Sequence, residues 1–127
     1  MEVSVLIDSV ILIDHLNGYS VASRYLQQLE GGRISVITRA EVLGGVAPAS
    51  LEPVRRLLDR YPTLEISRDI ADLAAELRRS FRWRLPDAFQ AALAQRYDLK
   101  LATRNTKDFS QAKHPFVVVP YELPLRS

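Results

Sequence analysis

Short apolar runs alternate along the chain with longer segments in which apolar residues recur every three or four positions. The short runs are rich in Val and Ile, as buried strands are, whereas the longer spacing indicates helices. Strands joined by helical crossovers form a mostly parallel sheet covered on both faces. The pattern therefore predicts a single α/β domain over residues 1–127. We predict strands at Val3–Ile7, Ile34–Ile37, Leu64–Ile66, Leu99–Ala102 and Phe116–Val119.

Two of the helices carry start signals in the sequence. Ser67 stands at an N-cap position, three residues ahead of the apolar residue Ile70. Pro86 lies at or near the first position of a later helix, whose apolar positions include Phe89 and Leu93. Further helices are predicted near Val10, after Tyr19-Ser20, at Thr38–Gly45 and after Ser50.

The amino-acid composition limits the classes of protein to which the chain can belong. At 47% hydrophobic and 25% charged residues, the chain has the balance of an ordinary globular domain. No apolar run reaches the length of about 18 residues that a membrane span needs. The N-terminus lacks the basic segment of a secretory signal, so we expect a cytoplasmic protein that does not associate with membranes. Because Cys is absent, carboxylate and imidazole groups are the available metal ligands.

Positive charge is concentrated in the second half of the chain, although the net charge is only +2. Residues 1–63 contain six basic and seven acidic side chains, and residues 64–127 contain eleven and eight. Most of the basic residues are Arg, whose planar donor fork suits phosphate. The distribution is a mild indication of a nucleic-acid partner.

Four acidic residues stand where an α/β sheet builds its binding sites. Asp8 follows the first predicted strand directly, and Asp108 lies in the polar loop after the fourth. Glu41 lies in a short helix between apolar positions that would turn its face inward, and Asp87 lies in the first turn of its helix. Each also has a purely structural interpretation: a helix cap for Asp8, an arginine partner for Glu41, a favourable helix macrodipole for Asp87 and an ordinary turn for Asp108.

In combination, these motifs resemble the PIN-domain ribonucleases, and among them the VapC toxins of bacterial and archaeal toxin–antitoxin pairs. The resemblance extends from Leu6 to about Pro120, with one departure at Val10, where the family commonly has Asn or another polar residue. The motifs are, in order, Asp8-Ser9 at a strand end, the helix Thr38-Arg39-Ala40-Glu41, the helix Pro86-Asp87-Ala88 and the loop Thr103-Arg104-Asn105-Thr106-Lys107-Asp108-Phe109.

The resemblance implies a PIN-like three-layer α/β/α fold with about five parallel strands in the order 3-2-1-4-5. Because this order reverses between strands 1 and 4, a cleft is expected there. Asp8, Glu41, Asp87 and Asp108 would meet in that cleft, and clustered carboxylates raise one another's pKa unless a cation is bound. Ligation by oxygen alone favours Mg²⁺ or Mn²⁺. The implied activity is hydrolysis of RNA phosphodiester bonds, with these four acids as metal ligands and catalytic residues.

The resemblance also implies roles for neighbouring residues and for partners. Ser9, Thr103, Arg104 and Asn105 are candidates to orient the substrate phosphate or a water molecule. The implied substrate is RNA of the tRNA or rRNA class. The implied protein partners are a VapB-type antitoxin and a second copy of the chain in a homodimer.

A basic and aromatic segment precedes Asp87 in the sequence. Residues 78–84 contain four Arg, one Phe and one Trp. Arg82, Trp83 and Arg84 are candidate RNA-binding residues, because guanidinium groups bind phosphate and aromatic rings stack on bases. The alternative is a solvated helix end with the two aromatic rings in the core or in a dimer contact. Both interpretations stay open, whereas His15 and His114 are interpreted as ordinary surface or packing residues.

Other functional classes fit the sequence less well. A receiver domain needs paired acids after the first strand and an Asp at the end of the third, and the chain has neither. A haloacid-dehalogenase-type phosphatase needs a second Asp two residues after the first, where Val10 stands. The better alternative is a catalytically inactive PIN-like module that binds RNA or protein, for which Val10 is the one indication.

Overall fold

A parallel five-stranded sheet forms the centre of the computed structural model, which describes residues 4–123. Its strands are β1 Val5–Ile7, β2 Gly32–Ser35, β3 Thr63–Leu64, β4 Lys100–Ala102 and β5 Val117–Val118. They lie in the order β3-β2-β1-β4-β5, and every neighbouring pair is parallel. This confirms the predicted sheet, although β1, β4 and β5 are shorter than predicted and β2 and β3 begin and end earlier in the sequence than predicted. Val3, the predicted start of the first strand, lies outside the described residues.

Six α-helices within the described residues connect and cover the strands. Ser67 caps α5 as predicted, since its Oγ accepts a hydrogen bond of 3.2 Å from the backbone N–H of Ile70. Pro86 lies in the first turn of α6, as its fixed φ favours. The helices are α1 Ser9–Leu16, α2 Ser20–Gln28, α3 Val36–Gly44, α4 Leu51–Leu58, α5 Arg68–Phe81 and α6 Leu85–Arg96, with a 3₁₀ turn at Pro48–Ser50 before α4.

The boundary between β2 and α3 differs from the prediction of a strand at Ile34–Ile37. The strand ends at Ser35, whose side chain accepts a hydrogen bond of 3.0 Å from the N–H of Thr38 and so caps the helix. Val36 and Ile37 are therefore the first residues of α3 despite their β-branched side chains. A strong local cap outweighs a weak preference for strand.

Alternate residues of β1 point into two different cores, as the two-residue period of a strand requires. Leu6 packs with residues of α5 and α6, among them Ile70 and Leu93. Val5 and Ile7 pack on the other face with residues of α1, α3 and α4. The result is the three-layer α/β/α arrangement that the sequence analysis predicts.

The sheet order reverses between β1 and β4, so the loops after these two strands leave in different directions and open a cleft. The N–H of Asp8 still donates to the carbonyl of Ala102 at 3.0 Å, which fixes the position of Asp8 against the neighbouring strand. Within residues 4–123, no helix combines the length and the apolar character that crossing a membrane requires.

Candidate functional site

A polar cleft of about 730 Å³ lies beyond the carboxyl ends of β1 and β4 and contains all four predicted acids. Seven residues were predicted to bind substrate, and five of them line the cleft, namely Ser9, Arg82, Arg84, Arg104 and Asn105, whereas Trp83 and Thr103 do not. Its lining residues are Asp8, Ser9, Val10, Glu41, Arg82, Arg84, Asp87, Arg104, Asn105, Lys107 and Asp108. A second concavity, of about 560 Å³, is lined mainly by apolar side chains and contains a single acid, Asp98. The first cleft is therefore the candidate site.

Asp8 is buried and held by three hydrogen-bond donors. Its Oδ1 accepts from the N–H of Ser9 at 2.9 Å and from Nε2 of Gln90 at 3.2 Å, and its Oδ2 accepts from Oγ1 of Thr103 at 2.7 Å. Asp8 is thus the N-cap of α1, as its purely structural interpretation predicts, and it also lines the cleft. Thr103 is completely buried, and in this structure its hydroxyl orients Asp8.

Gln90 is a contact of the site that the sequence analysis missed. It lies one turn after Asp87 in α6 and is 1% exposed. A polar residue in a helix segment that is otherwise mostly Ala and Leu was the available signal, because a buried amide needs hydrogen-bond partners. Those partners lie far away in the sequence, so the pattern alone could not identify them.

Glu41 is an exposed residue at the mouth of the cleft, whereas Thr38 and Val42 on the same helix are buried. The expectation of an inward-turned face therefore holds for its neighbours and not for Glu41 itself. Its Oε1 accepts a hydrogen bond of 3.1 Å from Oγ of Ser9. The carboxyl end faces the cleft wall, where desolvation raises the pKa of Glu41, the bond from Ser9 opposes the increase, and the charge of Asp8 adds to it.

Asp87 has the least satisfied carboxylate of the site. Its Oδ2 is shielded from solvent and has no hydrogen-bond partner among the described residues. Desolvation, followed by the charges of Asp8, Asp108 and Glu41, raises the pKa of Asp87 to about 6, and Arg84 only partly offsets this. An orphaned carboxylate oxygen beside three further acids is the arrangement that a bound cation relieves.

The loop after β4 brings Asp108 to the cleft. The N–H of Asn105 donates to Oγ1 of Thr103 at 3.0 Å, and Nδ2 of Asn105 donates to Oδ2 of Asp108 at 3.3 Å. These bonds connect Asp108 through the loop to the end of the strand. Lys107 also lines the cleft.

Arg82 and Arg84 line the cleft, and Trp83 between them does not. Arg82 adopts a left-handed conformation with φ of 59°, which ends α5 and turns the chain. Trp83 is 5% exposed, and its Nε1 donates to the carbonyl of Asp108 at 3.1 Å. Its ring contacts those of Phe81, Phe109 and His114. The core position that the sequence analysis left open for Trp83 is the one it occupies, so its ring is not available to stack on a base.

Arg104 forms an ion pair with Asp14, a residue that was not identified from the sequence. Its guanidinium binds Asp14 through two hydrogen bonds of 2.6 and 2.8 Å, and Asp14 is 3% exposed. The hydroxyl of Tyr121 donates to the same carboxylate at 2.7 Å. Arg104 therefore borders the cleft as one half of an ion pair that uses two of its three guanidinium nitrogens. An acid amid the apolar positions of α1 was the available sequence signal.

The four cleft acids suit a hydrated divalent cation. None of the ion pairs between described residues involves them. Within residues 4–123, no three acidic or histidine side chains are arranged to enclose an ion by themselves. Mg²⁺ usually keeps several waters and takes one or two carboxylates, so a cleft lined by dispersed carboxylates fits it better than it fits a fully dehydrated ion.

Comparisons with known proteins agree with this geometry. The PIN domain matches residues 5–115 of the chain. Ribonuclease VapC10 of Mycobacterium tuberculosis is 38% identical over 125 residues, which cover 90% of this chain and 94% of that protein. A toxin–antitoxin complex from Klebsiella pneumoniae contains a chain that is 39% identical, with a TM-score of 0.87 over 94% of this chain and 100% of that one. The structure of VapBC-1 from nontypeable Haemophilus influenzae shares the fold at 22% identity, with a TM-score of 0.65 over 85% of this chain and 91% of that one.

Proposed function

Because this chain belongs to the PIN-domain family, we propose that it is a VapC-type toxin, a metal-dependent endoribonuclease that hydrolyses RNA phosphodiester bonds in its acidic cleft. The observation that carries the proposal is the shielded Oδ2 of Asp87, which lacks a partner in a cleft shared with three other acids. A buried carboxylate with a purely structural role normally accepts a hydrogen bond within the protein. A carboxylate that binds a cation does not need such a donor, because the ion satisfies it.

The acids divide into two groups by their surroundings. Asp8 is buried and oriented by three donors, and Asp87 faces it from α6, so these two are the proposed direct ligands of Mg²⁺ or Mn²⁺. Among residues 4–123, the carboxylates of Glu41 and Asp108 each accept one side-chain hydrogen bond, from Ser9 and Asn105, and we assign these two acids to a second ion or to contacts through water. A divalent ion supplies a nucleophilic water at neutral pH and compensates the charge that develops on the phosphoryl oxygens.

The basic side chains of the cleft are assigned to the RNA backbone. Arg82, Arg84 and Lys107 line the same cleft as the acids and have no ion-pair partner within 4.0 Å among the described residues. Guanidinium and ammonium groups in this position would bind the phosphates on either side of the scissile bond. The amide of Asn105, which also donates to Asp108, is assigned to the same role. The side chains of Thr103 and Arg104 instead form hydrogen bonds with Asp8 and Asp14.

The proposed protein partners are an antitoxin of the VapB type and a second copy of the chain. The support for the antitoxin is the toxin–antitoxin complex whose chain is 39% identical over the whole of its length. Coexpression of the chain with a VapB-type antitoxin, followed by copurification and light scattering of the complex and of the chain alone, tests both partners.

The decisive experiment measures cleavage of total cellular RNA by the purified chain with Mg²⁺, with Mn²⁺ and with a chelator. Cleavage that needs the ion, and that is lost in both Asp8→Asn and Asp87→Asn while these variants stay folded, supports the proposal. Full activity in either variant would overturn the assignment of the acids. RNA binding without cleavage under every ion would instead favour the inactive RNA-binding module, for which Val10 in the cleft wall is the one indication.

A further inference from the structure

Gln90 is buried against the cleft acid Asp8, and both the nitrogen and the oxygen of its amide are hydrogen-bonded. Its Nε2 donates to Oδ1 of Asp8 at 3.2 Å and to Oγ1 of Thr38 at 2.8 Å. Its Oε1 accepts from Oγ of Ser35 at 2.7 Å. Both hydrogens of the amide nitrogen are thus used, which is the full donor capacity of a glutamine side chain.

The chemistry of its neighbours permits only one orientation of this amide. An ionised Asp8 can only accept hydrogen bonds, so the nitrogen of Gln90 must face it. The hydroxyl of Ser35 then donates to the amide oxygen, while the hydroxyl of Thr38 is directed to the carbonyl of Ile7 at 3.4 Å. A flipped amide would place two oxygens against each other at Asp8.

The same network fixes two acid-bearing helices relative to each other. Thr38 and Glu41 are three residues apart on α3, and Asp87 and Gln90 are three residues apart on α6. Residues with this spacing lie on the same face of a helix. The bond between Thr38 and Gln90 therefore joins α3 to α6 about one helical turn from the acid that each of these helices carries.

We propose that Gln90 is a positioning residue for the metal site, which holds Asp8 in its ligating orientation and sets the distance between the acids of β1, α3 and α6. The proposal rests on the proposed function, because it takes Asp8 as a metal ligand. An apolar side chain of the same length would fill the same space in α6 but would offer Asp8 no donor. Groups that orient metal ligands typically contribute about 10- to 100-fold to metal affinity or activity.

The substitution Gln90→Met tests the proposal, because Met keeps the length and volume of Gln and lacks the amide. Gln95→Met, at an exposed position of the same helix, is the matched control. Mn²⁺ affinity is measured by isothermal titration well below the unfolding temperature of each protein. We expect Mn²⁺ binding about 10- to 100-fold weaker in Gln90→Met and unchanged in Gln95→Met. In RNA cleavage we expect kcat to fall at fixed Mn²⁺, with KM for RNA unchanged.

A second pair of variants keeps the proposal testable if Gln90→Met does not fold. Thr38→Val removes the hydroxyl that holds the amide of Gln90, and Thr38→Ser retains it. We expect weaker Mn²⁺ binding in the Val variant and wild-type binding in the Ser variant. Wild-type affinity in both Gln90→Met and Thr38→Val, or in the Val variant alone if Gln90→Met is unfolded, overturns the role of Gln90. A wild-type chain that binds no Mn²⁺ overturns the proposed function itself.

Discussion

Oγ1 of Thr103 donates a hydrogen bond of 2.7 Å to Oδ2 of Asp8, which joins the ends of the two central strands across 95 positions of sequence. The same oxygen accepts a bond of 3.0 Å from the N–H of Asn105. One buried hydroxyl therefore orients the carboxylate after β1 and also fixes the start of the loop that carries Asp108. A change at this position acts on two of the four acids at once.

Replacing Thr103 with Val should weaken Mn²⁺ binding and RNA cleavage by about 10- to 100-fold, since the methyl group cannot donate to Asp8. Thr103→Ser keeps the hydroxyl and should retain most of both properties. Leaving a buried acceptor unpaired should also cost about 1–3 kcal/mol of stability in the Val variant. Isothermal titration with Mn²⁺ and urea unfolding measure the two effects separately, and equal Mn²⁺ affinities in the Val and Ser variants would contradict this role.

Asp87 should make the metal-free protein less stable as the pH rises from about 4 to about 6. The pKa of Asp87 is about 6 in the folded protein against an ordinary value of 3.8, so the folded state binds more protons in this interval. Stability falls with rising pH wherever the folded state binds more protons than the unfolded state. The loss should be on the order of 1 kcal/mol, because solvent screening reduces the effect at a half-exposed carboxyl group.

Asp87→Asn should therefore raise the Tm of the metal-free protein at pH 7 by a few degrees, while it abolishes RNA cleavage. At pH 4 the two proteins should unfold at nearly the same temperature, because Asp87 is then protonated. Asp72→Asn, at an exposed position of α5, is the control. Scanning calorimetry with a chelator present measures the difference, and a lower Tm for Asp87→Asn at pH 7 would show that its charge is stabilised by other means.

The alternation of strands and helices and the positions of the cleft acids could be predicted from local signals, whereas the sheet order and the cleft were implied by the resemblance to the PIN-domain family. Asp8 directly follows an apolar strand, and Asp87 directly follows a proline that starts a helix, so the position of each acid is fixed by its own segment. Gln90 and Asp14 could not be placed in the same way. Their partners lie 82 and 90 positions away in the sequence. The periodicity of apolar residues does not indicate which distant polar groups form hydrogen bonds with each other in the folded protein.

The position of Trp83 was undecided for a similar physical reason. Its neighbours in sequence are arginines, which favour exposure, whereas its ring packs against Phe109 and His114 from a distant segment. The left-handed conformation of Arg82 turns the chain so that consecutive side chains point to the cleft, the core and the cleft again. Whether each consecutive side chain in such a turn points to the core or to the cleft depends on tertiary packing, which outweighs the local preference of the sequence for exposure.

Trp83 should report on folding and be insensitive to RNA, because its ring is in the core. It is the single Trp of the chain, so tryptophan fluorescence describes this residue alone. We expect weak quenching by acrylamide in the native protein, strong quenching in urea, and no change when RNA is added to the Asp8→Asn variant. Strong quenching by RNA would show that the indole stacks on a base after a rearrangement.

Arg104→Ala should destabilise the protein by about 2–4 kcal/mol, because it leaves the charge of Asp14 buried without its cation. Arg39→Ala is the matched control, since Arg39 forms an ion pair of 2.8 Å with Asp59, whose side chain is 63% exposed. An exposed pair of this kind contributes less than about 1 kcal/mol. Urea unfolding measures both. Equal destabilisation by the two variants would show that the Arg104–Asp14 pair stabilises the fold no more than an exposed pair does, and Arg104 would again be a candidate RNA-binding residue.

Arg84→Gln should weaken RNA binding and reduce its dependence on salt. Each phosphate contact on a single strand contributes about 0.7 to the slope of log K against log salt concentration, so the loss of one contact should lower the slope by about 0.7. Arg84 suits this measurement better than Arg82, whose backbone ends α5. The titration uses a short single-stranded RNA and the Asp8→Asn background, with Arg79→Gln as the control because Arg79 is exposed and does not line the cleft. An unchanged slope in Arg84→Gln would place the RNA backbone away from this side of the cleft, whereas equal reductions in the two variants would indicate a diffuse attraction to the basic segment.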